Sequence, residues 1–178
     1  MKITNNILPK LDLKKIIDIV TCDDFNWFYN DKTTSLKNKT KYSYEAPQLT
    51  HTLILNEQVN SDWLSKLHPV LQIILNKKVK SIIRMKFNLL FPHKYKKNQK
   101  HCTPHIDNVG VKNYKVLLFY LEDCDSYTYF FKNKKIWKKV KVKANTLIEF
   151  DGDIYHAGSH PNKAKRKIVL NVNYIEAQ

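Results

Sequence analysis

IIRMKFNLL, residues 82–90, decides the fold class of this chain. Ile83, Met85, Phe87 and Leu89 alternate with Arg84, Lys86 and Asn88. Side chains along an extended strand point alternately to its two faces, so this period of two predicts a strand with one apolar and one polar face. Further strand-like runs follow it: YKVLLFYL (114–121), YTYFF (127–131), KIWKKVKV (135–142), NTLIEF (145–150), IYHAG (154–158) and KIVLNVNY (167–174). The turn-forming stretches DNVG, EDCDS, KNKK and DGD separate them. Many short strands punctuated in this way predict an all-β sandwich or jelly roll.

Toward the N-terminus the pattern changes. Leu11, Leu13, Ile16, Ile17 and Val20 recur near helical period. Ser61 is placed to cap a second helix carrying Trp63, Leu64 and Leu67, and Pro69 to open a further helix running to Leu75. NWFYN (26–30) and QLTHTLIL (48–55) lie between, the latter reading as a strand. The expectation is one domain over 1–178, mainly β with N-terminal helices packed on one sheet. Residues 1–80 form a mixed support region and 81–178 the β core. No internal repeat or low-complexity linker interrupts it.

Composition narrows the class. The chain has 178 residues, 43% apolar and 12% aromatic, enough to bury a core. Its longest apolar run, Val116 to Leu121, is far short of a membrane span, and MKITNNILPKLDLKK lacks the apolar block of a signal peptide. Cys22, Cys102 and Cys124 are odd in number and form no C-x-x-C pair. Reduced thiols are therefore expected, in the cytoplasm or, for a virus-encoded protein, the host cytoplasm. The formal charge of +15 suggests a nucleic-acid partner. Yet Arg84 and Arg166 are the only arginines among the 31 basic residues. Guanine readout relies on the Arg fork, so base-specific binding is not favoured, and weak, salt-dependent attraction to polyanions is expected instead. The lysines of 94–100 and 132–143 are expected on solvated loops and edge strands.

HCTPHIDNVG, residues 101–110, carries the chemistry. With seven His and eleven Asp in the chain, chance alone would place about 0.4 H-x-D triplets, so His105-Ile106-Asp107 means little by itself. FDGDIYHAGSHP supplies a second cluster about fifty residues on, with His156 at its centre. Two histidines and one carboxylate can occupy one face of a metal, and the positions left open suit non-haem Fe(II). His101 as a fourth ligand would close one of those positions and is assigned to a loop. His93 and His160 are expected to be solvated, with His160 at the entrance. No base is positioned for Cys102, which reads as a free thiol near the site.

The order H-x-D, LLFYLED, FDGDIYHAG, KRKIVLNVNY resembles Fe(II)/2-oxoglutarate-dependent dioxygenases of the prolyl-4-hydroxylase-like branch, small phage and bacterial members above all, over roughly residues 82–176. FNWFY, THTLIL and SDWLSKL resemble the N-terminal part of those members. The resemblance implies a double-stranded β-helix, His105, Asp107 and His156 as metal ligands, and Tyr120 and Asn88 in the 2-oxoglutarate pocket. It implies Fe(II), 2-oxoglutarate and O2 as reactants, with ascorbate as reductant. Ser126 stands where relatives often have glycine, which leaves the geometry of that turn open.

Relatives hold 2-oxoglutarate with a cation early in the last strand, where both Arg166 and Lys167 stand. Arg166 shares its face with Ile168, Leu170 and Val172, whereas Lys167 shares one with Val169, Asn171 and Asn173. The polar set suits a pocket, so Lys167 is the expected partner, Asn171 a further pocket residue and Arg166 a rim residue. The function so implied is hydroxylation of a protein residue or small molecule, coupled to decarboxylation of 2-oxoglutarate to succinate. The alternatives are a non-catalytic jelly-roll binding module, an oxygenase or isomerase on the same barrel that does not use 2-oxoglutarate, and a nucleic-acid-directed oxygenase using the basic surface.

Overall fold

The computed structural model describes residues 1–34, 36–76 and 79–177. Its framework is two antiparallel sheets. The larger contains β1 (Lys2–Asn5), β2 (Phe28–Asn30), β3 (Gln48–Leu55), β4 (Gln58–Val59), β5 (Val79–Leu90), β6 (Lys115–Tyr120), β9 (Thr146–Asp151) and β11 (Lys167–Glu176). They run in the order β1-β9-β6-β11-β5-β3-β2, with β4 on β3. The smaller sheet is β10-β7-β8, formed by β7 (Tyr127–Lys132), β8 (Lys135–Lys141) and β10 (His156–Gly158). This is the two-sheet jelly roll expected from the strand pattern, in the double-stranded β-helix form that the resemblance implies.

Period-two alternation sorts the side chains. Phe87, Leu89, Leu117, Phe119, Ile168, Leu170 and Val172 face outward from the larger sheet. They pack with Ile16 and Val20 of α1 (Lys10–Val20) and with Leu67, Val70, Leu71 and Ile74 of α2 (Trp63–Leu75). Val116, Leu118, Tyr120, Ile148, Phe150 and Val169 face inward, toward Phe130 of the smaller sheet. Because β6 lies between β9 and β11 and is covered on both faces, its sequence is one continuous apolar run rather than an alternation.

Four local expectations are corrected. Pro69 lies inside a single helix, α2, instead of opening a new one. The apolar stripe of Leu67, Val70, Leu71 and Ile74 continues through it, and packing on the sheet outweighs one missing backbone hydrogen bond. Leu11 is 82% exposed and lies off the buried stripe of α1. Ile83 leaves the outward face of its strand for the inner cluster, because a bulge in the pairing with β11 shifts the register there. The N-terminal segment also supplies β1, an edge strand on β9. The Asn145 side chain fastens the chain that follows: its amide accepts from the Leu8 N–H at 2.8 Å and donates to the Leu8 carbonyl at 2.8 Å.

The lysines of 94–100 are exposed, as are most of those on β8, the outer strand of the smaller sheet. Exposed lysines on an edge strand discourage edge-to-edge pairing. Among the described residues, no helix is long and apolar enough to cross a membrane.

Candidate metal centre and its pocket

His105 and His156 face each other through backbone pairing. Each N–H donates to the other's carbonyl at 2.9 Å, an isolated antiparallel bridge that extends the smaller sheet past β10. Asp107, two residues on, turns its carboxylate to the same point. One ligating atom from each of the three residues lies within 4.8 Å of the others, the only such group among the described residues. The imidazoles are already oriented. His105 Nδ1 lies 3.0 Å from the Thr103 carbonyl and His156 Nδ1 3.2 Å from that of Ile154. A carbonyl can only accept, so both Nδ1 atoms carry the proton and both Nε2 lone pairs are free for a metal. Burial lowers the His156 pKa to about 4 against the opposing pull of Asp107, which keeps that ring in the neutral form that a metal would require.

Asp107 is held on both oxygens. Arg84 donates to Oδ1 at 2.7 Å, and Asn171 and Asn173 donate to Oδ2 at 3.1 and 3.0 Å. Burial alone would raise its pKa. The neighbouring His156, Arg84, His105 and Lys86 outweigh burial and hold the carboxyl well below the usual range. Of these, Arg84 touches the carboxylate directly, at 2.7 Å. A carboxylate offers about four lone-pair sites, and three are taken here. One remains, so the set N, N, O fits a divalent metal bound on one face with other positions open.

Asn173 joins this cluster to the loop. It donates to Asp107 and Asn171 and accepts from Asn108 at 2.8 Å, and it is fully buried. Asn173→Ala should therefore lower Co(II) affinity about 10–100-fold, as loss of a partner behind a metal ligand typically does. Titration of the apo-protein followed by the cobalt d–d bands reads this directly, and an unchanged affinity would mean that Asp107 needs no such support. Tyr114 braces the same loop. Its hydroxyl accepts from the Asn108 N–H at 3.0 Å and donates to the Gly152 carbonyl at 2.8 Å, and its ring lies flat against Gly152. A Cβ at 152 would run into that ring, which explains glycine in the DGD turn. Gly152→Ala should destabilise the fold by about 1–3 kcal/mol, the usual range for overpacking. A thermal melt should record a loss of several degrees, and an unshifted midpoint would show that the ring can move aside.

The His105–Asp107–His156 cluster opens into a narrow pocket whose cavity is about 80 Å³. Lys167 lies in its wall, 3% exposed, with Nζ 3.3 Å from the Ser159 carbonyl and 5.9 Å from the Tyr120 ring centroid. Burial lowers its pKa to about 8. Gly158 makes room for it, since a Cβ there would come within 3.3 Å of Nζ. Tyr120 is fully buried, its hydroxyl 2.6 Å from Thr128 Oγ1, and both residues line the pocket, as does Asn88. Asn171 also lines it, with its amide engaged by Asp107. Arg166 points elsewhere and forms a two-pronged ion pair with Glu122, both bonds 2.8 Å, outside the pocket.

The other histidines take structural positions. His101 is buried against Tyr129 and Phe131 and is not in the cluster. His160 is also buried, contrary to the expectation of a solvated entrance residue. Its N–H donates to the Tyr44 hydroxyl at 2.7 Å and its Nδ1–H to the Phe91 carbonyl. His93, partly buried, stacks on Tyr44. All three cysteines are free, and burial pushes the Cys102 thiol up to about 12, which makes it inert. Glu45 closes the wall beside Cys102 by accepting hydrogen bonds from Thr33 and from the backbone and side chain of Thr103.

A double-stranded β-helix that gathers two imidazoles and a carboxylate at one end of its interior is the scaffold class defined here. Solved structures with a similar fold include 2-oxoglutarate and iron oxygenases. A 2OG-Fe(II) oxygenase-family oxidoreductase from Burkholderia pseudomallei matches 95% of this chain and 81% of its own, with TM-score 0.69 and 11% identity. A Pseudomonas putida prolyl-4-hydroxylase matches over 99% and 92%, with TM-score 0.60 and 12% identity. A Trichoplax adhaerens prolyl hydroxylase, solved with a hypoxia inducible factor oxygen degradation domain peptide fragment, matches over 98% and 83%, with TM-score 0.61 and 12% identity. At such identities the likeness is one of fold. No protein-family model and no curated protein matches the sequence.

Proposed function

We propose that this protein is an Fe(II)- and 2-oxoglutarate-dependent dioxygenase that hydroxylates a small molecule or a protein residue. The observation that carries the reading is a buried, cationic Lys167 in the same pocket as the His105–Asp107–His156 cluster. A metal site alone would fit many hydrolases, but a lysine kept deep in the wall asks for an anion, and an oxoacid that also reaches the metal supplies one. The metal and co-substrate, when bound, supply the oxidising chemistry, in which 2-oxoglutarate and O2 yield succinate and CO2 and one oxygen atom enters a substrate C–H bond.

The chain's own part is positional. His105 and His156 present neutral Nε2 atoms, Arg84, Asn171 and Asn173 fix the Asp107 carboxylate, and Lys167, with the Tyr120–Thr128 pair beside it, receives the far carboxylate of the co-substrate. Apolar walls from Leu118 and Val169 exclude water from the reacting centre. Ascorbate serves as external reductant for the iron, and the free cysteines agree with action in the cytoplasm. The test is incubation of the purified protein with Fe(II), 2-oxoglutarate and candidate substrates. Succinate should appear together with a product heavier by one oxygen. Iron and 2-oxoglutarate binding without succinate release under any condition would favour a non-catalytic binding module.

A further inference from the structure

Lys86 is a pocket cation for which this site has no use. It stands on β5 between Arg84 and Asn88, lines the pocket, and makes no hydrogen bond or ion pair among the described residues. Arg84 is committed to Asp107. Lys86 is half-buried, and burial, then the neighbouring Arg84, lower its pKa to about 8 against the opposing pull of Asp107. A half-buried ammonium that lines the pocket without a protein partner is placed to pair with an anionic group of a ligand.

Charge and register both indicate which ligand. Asp107 is the only carboxylate among the described residues that line the pocket; Arg84 pairs with it, and the same pocket also holds the cations Lys86 and Lys167. A divalent metal and a 2-oxoglutarate dianion cancel each other, which leaves the pocket in positive excess. Across the β5–β11 pairing Lys167 lies opposite Leu90, whereas Lys86 lies opposite Asn171, the residue bonded to Asp107. Four residues of strand separate the two levels, about 13 Å. A co-substrate that reaches from Lys167 to the metal therefore has one carboxylate at each end of its own path and leaves Lys86 on the β5 side. Asn88 and Gln48 add amides to that wall.

We propose that Lys86 anchors the substrate, and that the pocket selects a small molecule bearing a free carboxylate, docked on the β5 side of the His105–Asp107–His156 cluster. The proposal rests on the 2-oxoglutarate reading of the site.

The experiment measures succinate release with Fe(II), O2 and 2-oxoglutarate in the presence of free L-amino acids and 2-hydroxy acids, each beside its primary amide, and of proline-containing peptides. At least one acid should raise succinate release about tenfold over 2-oxoglutarate alone, and its amide should not. Lys86→Met should raise KM for that acid tenfold or more, Lys86→Arg should recover part of the loss, and both variants should bind 2-oxoglutarate within about threefold of wild type by calorimetry on the Zn(II)-loaded protein. Met matches the length of the lysine stem and removes a half-buried, unpaired charge, so this variant should melt no lower than wild type. Equal response to acid and amide, or response to peptides and to no acid, overturns the proposal. So does a tenfold loss of 2-oxoglutarate affinity in Lys86→Met, which would make Lys86 a co-substrate ligand. Wild-type protein that turns over 2-oxoglutarate but ignores every acid overturns this proposal alone. Failure to bind 2-oxoglutarate at all overturns the reading of the site, and this proposal with it.

Discussion

His156→Ala should abolish 2-oxoglutarate turnover and leave the fold standing. The imidazole supplies one of the three donors whose ligating atoms lie within 4.8 Å of one another. Removing it leaves His105 and Asp107, two ligands where a stable site needs three. The activity loss should exceed the 10–100-fold that follows loss of a partner behind a ligand. The structural cost is smaller. The ring packs edge-on to Phe150 at 4.9 Å and beside His105 at 4.8 Å, and truncating it opens a cavity worth about 1–3 kcal/mol. The backbone bridge to His105 uses main-chain atoms and survives the substitution. Circular dichroism should therefore show the native β signature, while iron binding and succinate formation disappear. His105→Ala should behave alike. Asp107→Ala is a less direct test, since an exogenous anion can enter the space beside Arg84. Full decarboxylation by His156→Ala protein would refute the ligand assignment.

The strands were legible because each side chain's face follows from its parity. β3, β6, β8 and β10 fall within the runs read from the sequence, and β5, β7, β9 and β11 overrun theirs by one to three residues. The same parity separates Lys167 from Arg166, with Ile168, Leu170 and Val172 in the outer core and Val169, Asn171 and Asn173 facing inward. What escaped depends on partners distant in sequence. Lys2–Asn5 has no apolar alternation of its own and becomes a strand because β9 offers an open edge. The bulge at Ile83 belongs to the pairing with β11 and leaves no local mark. Arg84 was visible as one of two arginines, on the polar face of its strand, but its contact with Asp107 spans 23 positions. Asn173 sits two residues from Asn171 on the same face, so the inward parity that placed Asn171 in the pocket could have flagged it. His160 looked solvated beside Ser159 and Pro161, and its burial comes from Tyr44, more than a hundred residues away.

Lys167→Ala should weaken 2-oxoglutarate binding about 100-fold, and Arg166→Ala should change it by less than about threefold. Truncating one partner of a buried, hydrogen-bonded charge pair typically costs 2–5 kcal/mol, and a factor of 100 lies within that range. Arg166 already has Glu122 and lies outside the pocket, so its removal breaks a partly exposed ion pair of small worth. The same lysine leaves a mark on the apo-protein that requires no ligand. Burial holds its pKa near 8, below the ordinary 10.5. Between those values the unfolded chain binds the proton and the folded chain does not, so stability rises with pH across that window. Below pH 8 both states carry the charge, and the folded state bears the full penalty of burying it, roughly 3 kcal/mol. Lys167→Met, which keeps the stem and removes the charge, should therefore raise apo-protein stability at pH 7 and flatten this lysine's share of the rise between pH 8 and 10.5. Denaturant titrations of both proteins across that range read the difference, with the response of Lys86 common to both. A Lys167→Met protein that binds 2-oxoglutarate as tightly as wild type would assign the cation to another residue, and one that is also no more stable would show that the ammonium reaches water.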